Sequence, residues 1–342
     1  MTVAGRTLGV AIVGCGLVGR RRAAVAAADE RTVVRAVVDT DAAAAATLSS
    51  ETGAPASAEW EAAVLDRGVD VVVVATPNAF LVPVAEAALA AGRHVLLEKP
   101  MGRSLAEAER LARSAETSDR VLKVGFNHRY HPGLAELLEV VGSGRLGPLV
   151  HVLARYGHGG RPGLEREWRS DPELAGGGHL LDQGVHLMDL VHGVAGLPAE
   201  AVSFLRTAVW PIAPLEDNAY AMYRYGDGLV AQIQVSMTQW QNRFSFEVVG
   251  RRGAAAVEGL GGSYGEERLV LTWRRVEGGI PDVTERPFPG PDASWAAEWD
   301  DFMGAVAGGR PLRHGSPADG VAAMRMLDAV YRSARQGEVV PL

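Results

Sequence analysis

The run Leu8-Gly9-Val10-Ala11-Ile12-Val13-Gly14-Cys15-Gly16-Leu17-Val18-Gly19 decides the fold. Its first six residues are apolar without alternation, as a parallel strand covered on both faces requires. Gly-x-Gly-x-x-Gly follows, and Arg20–Ala28 reads as a helix. Missing side chains let the backbone approach a pyrophosphate at the helix N-terminus. Gly14, Gly16, Leu17, Val18 and Gly19 are therefore read together as one cofactor loop. Asp39 ends the next apolar run, Val33–Val38, where a carboxylate meets the adenosine ribose hydroxyls, and Thr40 follows it. Asp39, with Asp41 nearby, repels a 2′-phosphate, so NAD is expected over NADP. The basic run Arg20–Arg22 is expected at a solvated or pyrophosphate-facing helix start. The competing reading is a glycine turn in a nucleotide-free α/β protein.

The same texture continues outward. Val69–Ala75, His94–Leu97 and Val121–Phe126 read as further strands. Asp41–Thr52, Glu59–Leu65, Val84–Ala91 and Leu105–Thr117 read as helices between them, with Ser104 and Glu107 forming a capping box. This alternation predicts a doubly wound α/β Rossmann domain over residues 1–126. Beyond it the pattern lengthens and alternates. Leu149–Tyr156, Val202–Trp210, Asn218–Tyr225, Leu229–Thr238, Arg243–Val249 and Arg268–Trp273 read as strands, with a hairpin break at Tyr225–Gly228. Helices are expected over His179–Val194, Trp295–Ala307 and Pro317–Ala334. Residues 127–342 thus form an α+β domain on a large, mostly antiparallel sheet, expected to bind substrate and to carry oligomer contacts.

Composition narrows the function. The 342 residues carry a net charge of −7, which argues against nucleic-acid and anionic-membrane partners. A single cysteine, Cys15, excludes an intrachain disulfide and a cysteine-based zinc site. The opening residues lack a charged segment followed by a long apolar one, and the longest aliphatic run, Val71–Ala75, is far too short to span a bilayer. A cytoplasmic protein is expected. Only Lys99 and Lys123 are lysines among 34 basic residues, so each retained lysine is informative.

Three segments carry candidate chemistry. Thr76-Pro77-Asn78 and Glu98-Lys99-Pro100 each end a strand of the first domain, beside the cofactor crevice. Lys99 is placed to hydrogen-bond a substrate hydroxyl. Gly176-Gly177-Gly178-His179-Leu180-Leu181-Asp182-Gln183-Gly184-Val185-His186 opens a helix in the second domain. Asp182 and His186 are four residues apart and share a helix face, giving an imidazole with a carboxylate to orient it. Alternatives are a helix of buried, satisfied polar residues, or a metal site of His179, Asp182 and His186. No metal is expected.

With these residues in place, the chain resembles the glucose–fructose oxidoreductase / inositol dehydrogenase (Gfo/Idh/MocA) family. The resemblance runs through Gly14–Gly19, Asp39, Thr76–Asn78, Glu98–Pro100, Gly125–Tyr130, Trp168-Arg169 and Asp182–His186. It implies a Rossmann domain followed by an open-faced sheet domain used in dimers or tetramers. It implies that Lys99, Asp182 and His186 are the catalytic trio, that Thr76, Pro77, Asn78, Glu98 and Asn127 contact cofactor, and that Arg129 lies near the substrate. Ala79-Phe80-Leu81-Val82 departs from members that carry a histidine there. Tyr156, His158, Arg161, Trp168, Arg169, His179, Gln239 and Trp240 are candidates to line the pocket. The expected activity is NAD-dependent oxidation of a secondary ring hydroxyl in a sugar, glycoside (an aminoglycoside included) or cyclitol. A nucleotide-sugar oxidoreductase, an NAD-dependent glycosidase and a non-catalytic NAD-binding regulator are the alternatives. Tyr220, Met222, Ile233, Val235 and Met237 alternate, so part of that set faces outward as an oligomer contact.

Overall fold

β1 (Leu8–Val13) is buried along its whole length, as its unbroken apolar run demands. The computed structural model describes residues 6–342; residues 1–5 of the first expected domain lie outside the described residues. After β1 come α1 (Leu17–Ala28), β2 (Thr32–Val38), α2 (Ala42–Thr52), β3 (Ala56–Ser57), α3 (Trp60–Leu65), β4 (Val71–Val74), α4 (Asn78–Ala90), β5 (His94–Glu98), α5 (Leu105–Glu116) and β6 (Leu122–Gly125). The six strands pair in parallel in the order β3-β2-β1-β4-β5-β6. The order reverses at β1, which opens a crevice beyond the carboxyl ends of β1 and β4. Asp41 caps α2 by accepting from the Ala43 and Ala44 amides. Ser104 caps α5, but Glu107 does not complete the expected box, because its carboxylate is drawn to the Arg103 amide and guanidinium. α4 starts six residues earlier than expected, and Pro83 inside it supplied the false break.

Two segments expected in the second domain belong to this unit, Glu173–Gly176 and Trp295–Val321. In the helix Ser294–Gly308, Trp299, Phe302, Met303 and Val306 recur at three- and four-residue spacing. That stripe joins the core of Val10, Ile12, Val34, Val37 and Val71, so burial rather than chain order assigns it.

The second unit comprises Asn127–Pro172, Gly177–Ser294 and Ala322–Leu342. Its strands are β7 (Leu149–Gly157), β8 (Glu200–Arg206), β9 (Asn218–Arg224), β10 (Val230–Ser236), β11 (Arg243–Gly250), β12 (Gly253–Glu258), β13 (Glu267–Trp273), β14 (Asp282–Phe288) and β15 (Val340–Pro341). They form one sheet, β14-β13-β12-β11-β7-β10-β9-β8-β15, antiparallel except between β7 and β10. The sequence hid β12, whose Gly-Ala-Ala-Ala run has low strand propensity, and β14, an exposed edge strand containing Pro287. β8 stops at Arg206 rather than Trp210, because the Asp217 carboxylate takes the Ala208, Val209 and Trp210 amides at 2.8, 2.8 and 3.0 Å. The Tyr225–Gly228 hairpin forms as expected, with Gly228 at a φ of 92°. One sheet face is apolar and open: Leu153, Phe204, Tyr220 and Met222 are exposed on it, while Ile233, Val235 and Met237 are buried. Among the described residues no helix is long and apolar enough to cross a membrane.

A buried ionic cluster ties the first unit together. Arg22 is 1% exposed, and its guanidinium lies 2.6 Å from both Glu98 at the end of β5 and Glu298 on the helix Ser294–Gly308. Lys123 on β6 is fully buried, donates to Asp301 at 3.0 Å and also bonds the His314 carbonyl. The expected solvated start of α1 is therefore correct for Arg20, which pairs with exposed Glu51, and wrong for Arg22. The two are only two residues apart, about 200° around α1, so they face opposite sides of the helix. Removing one partner of such a group leaves an uncompensated charge. Arg22→Leu should cost about 3–5 kcal/mol in urea unfolding. Burial already holds the Glu298 carboxyl above the ordinary range. Such a group contributes stability that is lost as pH rises, so the Arg22→Leu deficit should be larger at pH 8 than at pH 5.

Candidate active site

The three loop glycines do different things. Gly14 has a φ of 98°, and a Cβ on it would lie 2.3 Å from the Ala75 carbonyl oxygen. A Cβ on Gly19 would lie 1.8 Å from the Gly14 oxygen, so α1 and the loop touch only because it is absent. Gly16 is under no such pressure: a Cβ there meets nothing within 4 Å. Its bareness keeps space open in front of α1, whose first amides receive no side-chain cap. Leu17, 70% exposed, and Val18 are the first α1 residues beyond that space.

Asp39 stands at the carboxyl end of β2. Its two oxygens accept from the Cys15 and Asp41 amides at 2.7 and 2.9 Å, which fixes the carboxylate beside the loop. Thr40 and Asp41 are exposed. Burial, with the Asp39 charge, pushes the Cys15 thiol up to about 12, so Cys15 packs rather than reacts. At the end of β4, the Thr76 hydroxyl is buried with no hydrogen-bond partner among the described residues, and Pro77 caps α4. An open cradle, an uncapped helix start, a held carboxylate and an orphaned hydroxyl suit a dinucleotide's pyrophosphate and ribose. Two of the residues expected at the cofactor have partners within the protein. Asn78 turns its amide to the Ala175 carbonyl at 2.8 Å and holds the 173–176 segment. Glu98 is consumed by Arg22, so its place in Glu-Lys-Pro anchors Lys99, which is half-buried.

The second unit concentrates imidazoles and one carboxylate. The expected helix over His179–Val194 begins as a π turn, Leu180–Gly184, and becomes an α-helix at Val185–Ala195. Such turns are frequent at functional sites. Its start is held by Glu216, whose carboxylate accepts from the Gly178 and Leu180 amides at 3.2 and 3.0 Å and from the Tyr331 hydroxyl at 2.9 Å. A Cβ on Gly178 would sit 2.2 Å from the Glu216 oxygen and one on Gly177 2.4 Å from the Tyr331 hydroxyl, which explains the glycine run. Asp182 lies in the π turn, 3.6 Å from the Arg169 guanidinium, and His186 is buried one turn on. The His186 ring stacks on His128 with centroids 3.7 Å apart. His179 is buried edge-on against His158 at 4.8 Å. Burial holds His158 below the ordinary histidine value, while Asp182 pulls it up. The Tyr156 ring meets Tyr264 edge-on at 4.9 Å, and burial raises the Tyr156 phenol well above its ordinary value. Trp168 and Arg169 form one platform, the guanidinium 4.4 Å over the indole. Among the described residues no three His, Cys, Asp or Glu side chains converge as metal ligands.

Other expected pocket residues are engaged elsewhere. Arg129, expected near substrate, is buried and closes its fork on Asp189 at 2.6 and 2.7 Å. Asn127, expected at the cofactor, donates to Ser294 at 2.9 Å and faces His128 with its oxygen at 3.2 Å. Arg161 pairs with Glu167, and Gln239 with Arg155. Trp240 is 73% exposed. Sequence reasoning missed His128, Tyr264, Glu216 and Tyr331. For His128 a signal existed: Asn127–His131 is a polar and aromatic run placed directly after a buried strand.

Residues 8–126 match an oxidoreductase family with an NAD-binding Rossmann fold, and residues 134–256 match the GFO/IDH/MocA C-terminal domain. The chain belongs to the Gfo/Idh/MocA family of oxidoreductases. Among its relatives, D-xylose 1-dehydrogenase (NADP(+)) 2 of Haloferax volcanii is 27% identical over 311 residues, 90% of this chain and 91% of the relative. Levoglucosan dehydrogenase of Pseudarthrobacter phenanthrenivorans is 25% identical over 224 residues, 58% of this chain. The chain spans 57% of that relative's length. The solved structure of GenD2 from gentamicin A biosynthesis, in complex with NAD, is 29% identical with a TM-score of 0.85, covering 98% of this chain and 97% of that one. In this Gfo/Idh/MocA chain the contrast between Gly16 and Gly19 separates binding from folding. Gly16→Ala should leave the melting temperature unchanged and weaken NAD in a fluorescence titration about tenfold or more, since its methyl takes the pyrophosphate's place. Gly19→Ala should lower the melting temperature itself.

Proposed function

We propose that the chain is an NAD-dependent dehydrogenase acting on a secondary ring hydroxyl of a sugar, glycoside or cyclitol. The observation that carries this reading is the buried His186 imidazole one turn beyond the Asp182 carboxylate on a helix whose start is fixed by Glu216. An alcohol is a very weak acid, and a positioned base contributes about 10²–10⁴-fold. A ring nitrogen of His186 takes the hydroxyl proton. Asp182 orients the imidazole and offsets the charge it gains. The Lys99 ammonium hydrogen-bonds the reacting oxygen as negative charge gathers there. Arg169 on Trp168 and the Tyr156 hydroxyl are proposed to contact the ring's other hydroxyls. NAD, when bound, supplies the hydride acceptor at its nicotinamide. The Asp39 carboxylate supports NAD over NADP by repelling a 2′-phosphate, although the D-xylose relative is named for NADP(+). The similarity to GenD2 across nearly the whole chain favours an aminoglycoside ring as one member of the substrate class.

The decisive experiment is a panel of sugars, glycosides, aminoglycosides and cyclitols read by NADH absorbance. Net NADH should form, with kcat/KM higher for NAD than for NADP. Sugar release without net NADH would replace this reading with the glycosidase. On any accepted substrate, His186→Ala should lose about 10²-fold or more in kcat with NAD affinity little changed. Asp182→Asn should be impaired as well, and Lys99→Ala should lower kcat far more than NAD binding. Oxidation should slow on the acid side as His186 takes up a proton. Wild-type turnover in His186→Ala would remove it as the base.

The open sheet face supports a second reading, of assembly. Phe204, 74% exposed, lies opposite Tyr220 on β9, with Met222 and Leu153 on the same face. We infer that a second copy of this chain covers it in a homodimer or homotetramer. Light scattering at micromolar concentration should give a multiple of the chain mass, and Phe204→Glu should shift it to the monomer.

A further inference from the structure

We propose that His128 is a positioning residue for His186, a flat face against which the base is held. The inference depends on the reading of His186 as the base. The two rings lie 3.7 Å apart at an interplanar angle of 20°, and the residues are 5% and 4% exposed. A histidine ring turns softly about its last torsion, so helix backbone alone does not fix its plane. A parallel partner at van der Waals distance does.

His128 is itself immobilised. Its ring meets Tyr156 at 5.4 Å, His131 at 5.7 Å and Phe244 at 5.9 Å. Its Nδ1 lies 3.2 Å from the Asn127 amide oxygen. The Asn127 amide cannot be turned round at no cost, because its nitrogen donates to Ser294 at 2.9 Å, and the Ser294 hydroxyl donates to Asp292 at 2.6 Å. An acceptor therefore faces Nδ1, which places a proton on that nitrogen. The chain Asp292–Ser294–Asn127–His128 thus fixes ring plane and Nδ1 proton behind the proposed base. It also explains why Asn127 and Arg129 are both occupied by structural bonds: the residue between them is the one that reaches His186.

The test compares three variants in the full-length enzyme. His128→Leu fills similar volume without a flat face and should lower kcat about tenfold or more, the scale of a misplaced catalytic group. KM for the sugar and the NAD dissociation constant from fluorescence titration should stay within about threefold, since neither ligand loses its own contact. His128→Phe restores a flat face and should recover most of the lost kcat. Wild-type kcat in His128→Leu overturns the proposal, as does His128→Phe being as slow as His128→Leu. If His128→Leu melts far below wild type, His128→Phe alone decides, by whether its kcat is near wild type or about tenfold down. His186→Ala run alongside separates the two readings. Full turnover there fails the assignment of the base, whereas an inactive His186→Ala beside an unaffected His128→Leu fails only this inference.

Discussion

Arg22 held between Glu98 and Glu298 is the constraint on which the first unit is built. A guanidinium this deeply buried is tolerable only with carboxylates on more than one side, and the two come from elements distant in sequence, the end of β5 and the helix Ser294–Gly308. Closing that triad sets where β5 ends, and Lys99 is the next residue. Lys123 and Asp301 extend the same cluster to β6. Burial pulls the Lys123 ammonium below the ordinary lysine value, and Glu298 and Asp301 act against it. The arrangement gives the helix Ser294–Gly308 a charge-defined seat in addition to its apolar one, which loose hydrophobic packing alone does not specify.

The second unit solves a related problem with stacked rings and backbone amides. Glu216 gathers the glycine-rich turn, the π turn follows, and His186 emerges against His128. Glycine is required there by what crowds the turn, whereas in the cofactor loop Gly16 is required by what must remain empty. The same residue type thus marks contact in one place and vacancy in the other.

The Rossmann half was legible because its signals are local: unbroken apolar strands, a glycine fingerprint, and an acid at the next strand end. The large sheet was partly legible. β9 and β10 alternate cleanly, while β12 is alanine-rich and β14 is polar, so partners across the sheet define them rather than their own residues. Asp217 ended β8 from eleven residues away, beyond any window that reads one strand at a time. In the second unit, the placing of Asp182 and His186 on one helical segment was readable from spacing. The partners of Arg129 and Glu98 were not readable, because a motif shows which charged residues are present and not which opposite charge lies within 3 Å of them.

The scarcity of lysine has a practical side. Lys123 is sealed inside the protein, and the other lysine, Lys99, is half-buried, the nearer of the two to solvent. Reagents or supports that couple through lysine side chains would engage this protein at the residue assigned to the reacting oxygen. Attachment through carboxylates or arginine-directed chemistry would leave it alone. An economy of one residue type has thereby turned a common handle for labelling into an address for the proposed catalytic lysine.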